Sequence, residues 1–224
     1  MARAHASKVK EAGAERYLPE RRSLQALRAA AAECEGCPLF RAATQTVFGE
    51  GPAHARIVVV GEVPGDAEDR AGKPFVGPAG KLLDRALAEA HLERRDLYLT
   101  NAVKHFYFEP SPSGDHEARR GKARLHKRPR PGDIRACRPW LDAEIDAIEP
   151  RVIVLLGATA AQSLLGSSFR VTQHRGLLEE RYGGAALVAT LHPAAVLRAP
   201  DHEARERLFR DLVTDLRAAE GAAR

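Results

Sequence analysis

Two periods of apolar and polar positions run along the chain. Short apolar runs rich in β-branched residues read as buried strands at 57–60, 97–103, 152–156 and 187–191. Between them the period lengthens to that of a helix. Helices are expected at 23–32, 77–90, 131–148, 158–165 and 202–218. In 77–90, Leu82, Leu83, Ala86, Leu87 and Ala90 share one face, and in 131–148 Ile134, Cys137, Leu141, Ile145 and Ile148 form a stripe. Strands alternating with helices predict an α/β fold with a mainly parallel sheet and helices on both faces. The segment 106–131 breaks the alternation. It holds four Pro, two Gly and many basic residues, and is read as a long loop, of a kind that is either functional or disordered.

The first strand ends in Gly61-Glu62-Val63-Pro64-Gly65, which places a carboxylate at its carboxyl end. Ligands of open α/β sheets bind in the crevice outside those ends. Asn101 and His192 stand at or just past two other strand ends, so a parallel sheet turns Glu62, Asn101 and His192 toward one crevice. Each has a plainer reading: a surface acid, a backbone cap, a core histidine. Phe75 sits in a Gly/Pro-rich stretch nearby. A ring there can stack on a flat base while an Asn amide reads that base's polar edge, although core packing is the commoner fate of a Phe.

Composition narrows the class. The 224 residues are 29% charged and 5% aromatic, which suits one compact domain at 23–220. Residues 1–22 are charged and Ala-rich without the apolar core of a secretory signal, and are expected to be a flexible arm. A cytoplasmic location follows, and no apolar run predicts a membrane span. The net charge of +5 is concentrated: residues 119–135 carry eight Lys/Arg and one acid, Asp133. Such a block is either a solvated loop or a footprint for phosphate backbones.

There are three cysteines, and Cys34 and Cys37 form a CxxC pair preceded by helix. An odd count in a reducing compartment argues against a disulfide framework. With Cys137 as a distant third thiolate, a zinc or iron–sulfur site needs one ligand that is not cysteine.

The ordered set Gly61-Glu-Val-Pro-Gly65, Gly72-Lys-Pro-Phe-Val-Gly-Pro-Ala-Gly80, Thr100-Asn-Ala-Val-Lys104 and His192-Pro193 resembles the iron–sulfur uracil-DNA glycosylases, most closely the branch called uracil-DNA glycosylase X. The resemblance runs from about Leu24 to Ala218. It implies a three-layer α/β/α fold around a mainly parallel four-stranded sheet. It also implies a [4Fe–4S] cluster held by Cys34, Cys37, His105 and Cys137, with His105 where related enzymes carry a cysteine. Lys122-Ala-Arg-Leu-His126 resembles the Lys-Arg-Arg-Ile-His segment of the X branch. There the final histidine attacks the sugar C1′ once the base departs, and the protein stays joined to DNA.

By that resemblance, uracil in DNA, single-stranded by preference, is flipped into a pocket lined by Val63, Gly65, Asp66, Phe75 and Asn101. His192 stabilises the departing uracil anion, Glu62 supports the cationic sugar or activates His126, and His126 is the nucleophile. Arg124 holds the loop against a phosphate or the crevice wall. Two departures stand out: Val63 replaces the usual Gln, and Ala123 replaces the first Arg of the loop motif, behind a longer loop. The expected activity is suicidal uracil excision by a monomer in DNA repair. The rivals are a turnover glycosylase that leaves a free abasic site and a non-catalytic DNA-binding protein with a structural cluster.

Overall fold

The computed structural model describes residues 13–108, 124 and 126–224. Lys122, Ala123, Leu125 and the start of the basic block lie outside the described residues, as does most of the expected arm. Residues 13–22 of that arm include a 3-10 turn, Ala14–Tyr17, whose Ala14 is buried.

Among the described residues five strands form one sheet in the order β2-β1-β3-β5-β4. The strands β1 (Ile57–Gly61), β2 (Tyr98–Asn101), β3 (Val152–Leu156) and β5 (Ala185–Thr190) are parallel. The fifth, β4 (Gly176–Tyr182), pairs antiparallel with β5. The expected sheet therefore gains one edge strand. Its residues are mostly exposed, so it lacks the apolar run that marks the other four. Gly183 and Gly184, both at positive φ, close a two-residue hairpin into β5, the turn that a right-handed strand twist favours.

Among the described residues seven α-helices surround the sheet: α1 (Leu24–Ala31), α2 (Asp66–Ala71), α3 (Pro78–Glu89), α4 (Pro131–Ile148), α5 (Gly157–Leu165), α6 (Pro193–Leu197) and α7 (His202–Ala222). Helix starts follow local chemistry. Ser23 Oγ accepts the Ala26 N–H at 3.3 Å, and Asp201 Oδ1 accepts the Ala204 N–H at 2.7 Å. Pro131 opens α4 while the Asp133 carboxylate accepts the Arg130 N–H at 2.9 Å.

Alternate strand residues feed opposite faces. Val59, Val154 and Val188 pack on Leu83 and Leu87 of α3 and on Leu212 and Leu216 of α7. Val58, Val60, Ile153, Leu155 and Leu187 face Leu141, Ile145 and Ile148 of α4 and Ala160 and Ala161 of α5. Each fully buried Val, Leu or Ile contributes about 1.5–3 kcal/mol. A third apolar group gathers Leu27, Ala31, Phe48, Val63, Val103, Trp140 and all three cysteines between α1 and α4. Among the described residues no helix is long and apolar enough to cross a membrane.

Candidate active site and cysteine centre

The register sets the crevice. Gly61 is the partner of Asn101 across β1 and β2, and Leu156 is the partner of Thr190 across β3 and β5. Glu62, Asn101 and the segment after Thr190 thus leave the sheet at one edge. Two glycines let their side chains close in. A Cβ on Gly61 would collide with Asn101 Oδ1 and come within 2.6 Å of Phe75 Cζ. One on Gly157, at φ +83°, would lie 2.9 Å from His192 Cβ. Phe75 and Asn101 therefore share the space over the end of β1, with the ring beside the amide.

Phe75 is buried and holds φ +54°, a strained value for an aromatic residue. Arg94 secures that backbone: Nη1 donates to Phe75 O at 3.1 Å and Nη2 to Pro74 O at 2.9 Å. Asp84 holds the guanidinium at 2.7 Å. Glu68 ties the two loops together, because its Oε2 accepts the Gly65 N–H at 3.1 Å and its Oε1 the Gly77 N–H at 2.8 Å.

His192 Nδ1 accepts the Ala194 N–H at 3.1 Å, which leaves the ring proton on Nε2 as a donor. Burial, with His126 and Arg198 adding to it, brings its pKa down to about 4. His192 is thus a neutral hydrogen-bond donor at physiological pH.

The two ends of the long loop meet. Phe108 forms a bridge with His126, and the Lys127 N–H donates to Tyr107 O at 2.9 Å. His126 keeps an exposed edge, and its ring centroid lies 6.3 Å from that of Phe106. Its pKa is lowered by the surrounding protein and by Arg198, while Glu62 and Glu68 oppose that shift. His126, Glu62 and His192 therefore belong to one electrostatic neighbourhood.

Arg124 fixes this loop. It is ion-paired with Asp66 through Nε and with Asp69 through Nη2 at 2.7 Å, and its guanidinium lies 4.9 Å from the ring centroids of both Phe106 and Phe108. Burial pushes the Asp66 carboxyl up, but the bonds to Arg70 and Arg124 outweigh it and hold the pKa below its usual value. Arg124 is thus tied to two carboxylates of α2. Val63 packs in the same apolar group as the cysteines.

The three cysteines are buried, free thiols. Cys34 Sγ accepts the Gly36 N–H at 3.4 Å and the Trp140 Nε1–H at 3.2 Å, and Cys137 Sγ accepts the Lys104 N–H at 3.3 Å. Burial pushes Cys37 up to about 11 and raises Cys137 further, and each feels the negative charge of another cysteine. Without a cation the Cys37 and Cys137 thiols stay protonated. N–H donors aimed at sulfur suit bound thiolates.

His105 is buried, and its Nε2 lies 2.9 Å from Thr46 Oγ1, whose own proton goes to Ala31 O at 2.8 Å. Nε2 must then carry the hydrogen, leaving the Nδ1 lone pair for a ligand, the orientation typical of a metal-bound histidine. Burial lowers its pKa to about 4, so the ring is neutral. Among the described residues no three His, Cys, Asp or Glu converge on one ion. A cluster spreads its ligands over several irons and accepts a more open set. The donors present fit a cluster.

Some residues that shape the site carry no role from sequence. Glu68, Arg94 and Arg198 act through loops and electrostatics. Glu144 had a legible signal: it falls on the buried stripe of α4, seven residues after Cys137 and four before Ile148.

A mainly parallel sheet whose carboxyl edge presents a carboxylate, an amide, an aromatic ring and imidazoles defines an α/β protein with a polar crevice at its strand ends. The family model described as the uracil DNA glycosylase superfamily matches residues 48–217, and the chain belongs to that superfamily. A Type-4 uracil-DNA glycosylase of Thermotoga maritima is 37% identical over 181 residues, covering 80% of this chain and 86% of its own. One from Archaeoglobus fulgidus is 38% identical over 174 residues, covering 75% and 79%. A Type-5 uracil-DNA glycosylase of Thermus thermophilus is 31% identical over 165 residues, covering 65% and 68%.

Proposed function

We propose that this protein excises uracil from DNA and then captures the sugar through His126, as the X branch does. The observation that carries the reading is His126 bridged to Phe108 and sharing its electrostatic field with Glu62 and His192.

The flipped base stacks on Phe75 while Asn101 reads its edge, with Gly65 and Asp66 lining the turn beside it. Val63 supports this turn from the cysteine side. The C1′–N1 bond breaks and its electron pair leaves on uracil. His192 Nε2–H stabilises the anion, a contribution of about 2.7–4 kcal/mol for one well-placed donor. Glu62 faces the cationic sugar. A neutral nitrogen of His126 donates its lone pair to C1′, and the proton of the other ring nitrogen passes to Glu62 or solvent. Uracil takes a proton from water, so the products are neutral uracil and a protein joined to DNA. A tethered imidazole outpaces water because of its high effective concentration.

Cys34, Cys37, His105 and Cys137 would hold a [4Fe–4S] cluster, which supplies a structural tie between the CxxC segment, the turn after β2 and α4. The domain is taken as 23–220, acting as a cytoplasmic monomer on single-stranded DNA by preference.

Purified protein incubated with uracil-containing single-stranded DNA should give a shifted band that survives heat and denaturant. A second reading keeps to the uracil-DNA glycosylase activity that the Type-4 relatives are named for: turnover with free abasic product. Abasic DNA without a shifted band would establish it. No released uracil at all would leave only a DNA-binding protein.

A further inference from the structure

We infer that Lys104 is a positioning residue that holds Asn101 and Glu62 in register for the reaction, an inference that rests on the reading above. Lys104 is 1% exposed, inside a chain of strong polar contacts beneath the crevice floor. Its three ammonium protons have three acceptors. Nζ donates to Thr100 Oγ1 at 2.6 Å, to the main-chain O of Asn101 at 2.8 Å, and to Glu144 Oε2. The ammonium therefore grips the last two residues of β2 from below.

The turn that Lys104 closes also carries the other half of the site. The Ala102 N–H donates to Gly61 O at 2.9 Å, and the Val103 N–H to Glu62 O at 3.1 Å. Residues 101–104 thus join the base-reading amide on one strand to the carboxylate after its neighbour. The main chain of Lys104 fixes the far end. Its N–H points to Cys137 Sγ at 3.3 Å and its O accepts the Val47 N–H at 2.8 Å.

Glu144 is the counter-anchor. It is fully buried, and its Oε1 accepts from Tyr98 Oη at 2.8 Å and the Gly49 N–H at 3.0 Å. The pair therefore pins the turn to α4, to β2 and to the Phe48–Gly49 segment at once. A buried ion pair is weak evidence for stability, since apolar replacements of similar volume are often neutral. Its value here lies in direction: the lysine charge has one place to go, and reaching it sets the Asn101 backbone.

The test uses two variants of the full chain. Lys104→Met alone leaves Glu144 as a bare buried charge and can fail to fold. The double variant Lys104→Met/Glu144→Gln removes both charges and keeps an acceptor for Tyr98 and Gly49. In the double variant, amide hydrogen exchange at Ala102 and Val103 should quicken at least tenfold while Val154 in β3 keeps its rate. The single-turnover rate of uracil release should fall at least tenfold, with the half-saturating DNA concentration changed less than threefold.

Introduced into Asn101→Ala, the same two substitutions should cost a clearly smaller factor in rate than in the wild-type background, because one of the two groups they position is gone. Unchanged exchange at Ala102 and Val103, or rate losses that multiply with Asn101→Ala, would overturn the assignment. Should the wild-type protein release no uracil, the functional reading falls, and the exchange measurement still decides whether Lys104 holds this turn.

Discussion

In the proposed reaction two imidazoles, His192 and His126, work only when neutral. His192 has its proton on Nε2 and a pKa near 4, so it remains a donor through the whole neutral range. His126 must offer a lone pair, and its pKa also lies below the ordinary 6.5. Capture should therefore run at full rate at neutral pH and fall as pH drops below the depressed His126 value, with protonation removing the lone pair. A plot of adduct rate against pH checks this; a rate that rises toward acid would contradict it. The same shifts bear on stability. The unfolded chain binds these protons at higher pH than the folded one, so their contribution is present above the unfolded value and is lost as pH falls toward the folded one. The thermal midpoint should accordingly decline from pH 7 toward pH 4. Replacing His126 with Ala should abolish the denaturant-resistant band while uracil release persists, because His192, Asn101 and Glu62 remain. Persistence of the band would reject His126 as the nucleophile.

At the scale of elements, the end of β1 is the tightest point. Gly61 has no room for a methyl group, since Asn101 Oδ1 and Phe75 Cζ both occupy its space. Gly61→Ala should push one of them out of place, cost about 1–3 kcal/mol as an overpacking change, and reduce uracil release much more than it reduces DNA binding. A denaturant melt beside a release assay reads both. The four parallel strands were legible because three are largely apolar runs and β2 opens on Tyr98-Leu99 behind Leu97, and α4 because its stripe survives Pro139. The edge strand β4 was not, since Glu179, Glu180 and Arg181 face water and break any run. Its only strong sign was the Gly183-Gly184 turn. The short helices α2 and α6 were equally hidden: six and five residues are too few to show a period. Glu62, Asn101 and His192 could be placed by the strand-end rule alone. The Lys104–Glu144 pair could not, because a contact between residues forty apart in sequence leaves no local pattern.

Across the whole molecule, the proposed function divides charge into groups that shape the site and groups left for DNA. Arg124 belongs to the first kind: two carboxylates and two aromatic rings already occupy it. Arg130 belongs to the second, with its side chain exposed at the start of α4 beside the loop that carries His126. The two arginines should respond differently to salt. Each phosphate contact on single-stranded DNA contributes about 0.7 to the slope of log affinity against log salt. Arg130→Ala should make that slope shallower by about this amount and weaken binding to uracil-containing and uracil-free strands alike. Arg124→Ala should leave the slope unchanged, because no phosphate contact is lost. It should instead lower the yield of covalent product severalfold, by freeing the loop that delivers His126. Binding isotherms at several salt concentrations, read beside denaturing gels of the same two variants, separate the effects. A shallower slope for Arg124→Ala would mean that its guanidinium leaves Asp66 and Asp69 for the DNA backbone when the complex forms, and the loop would then be set by the substrate rather than by the crevice wall.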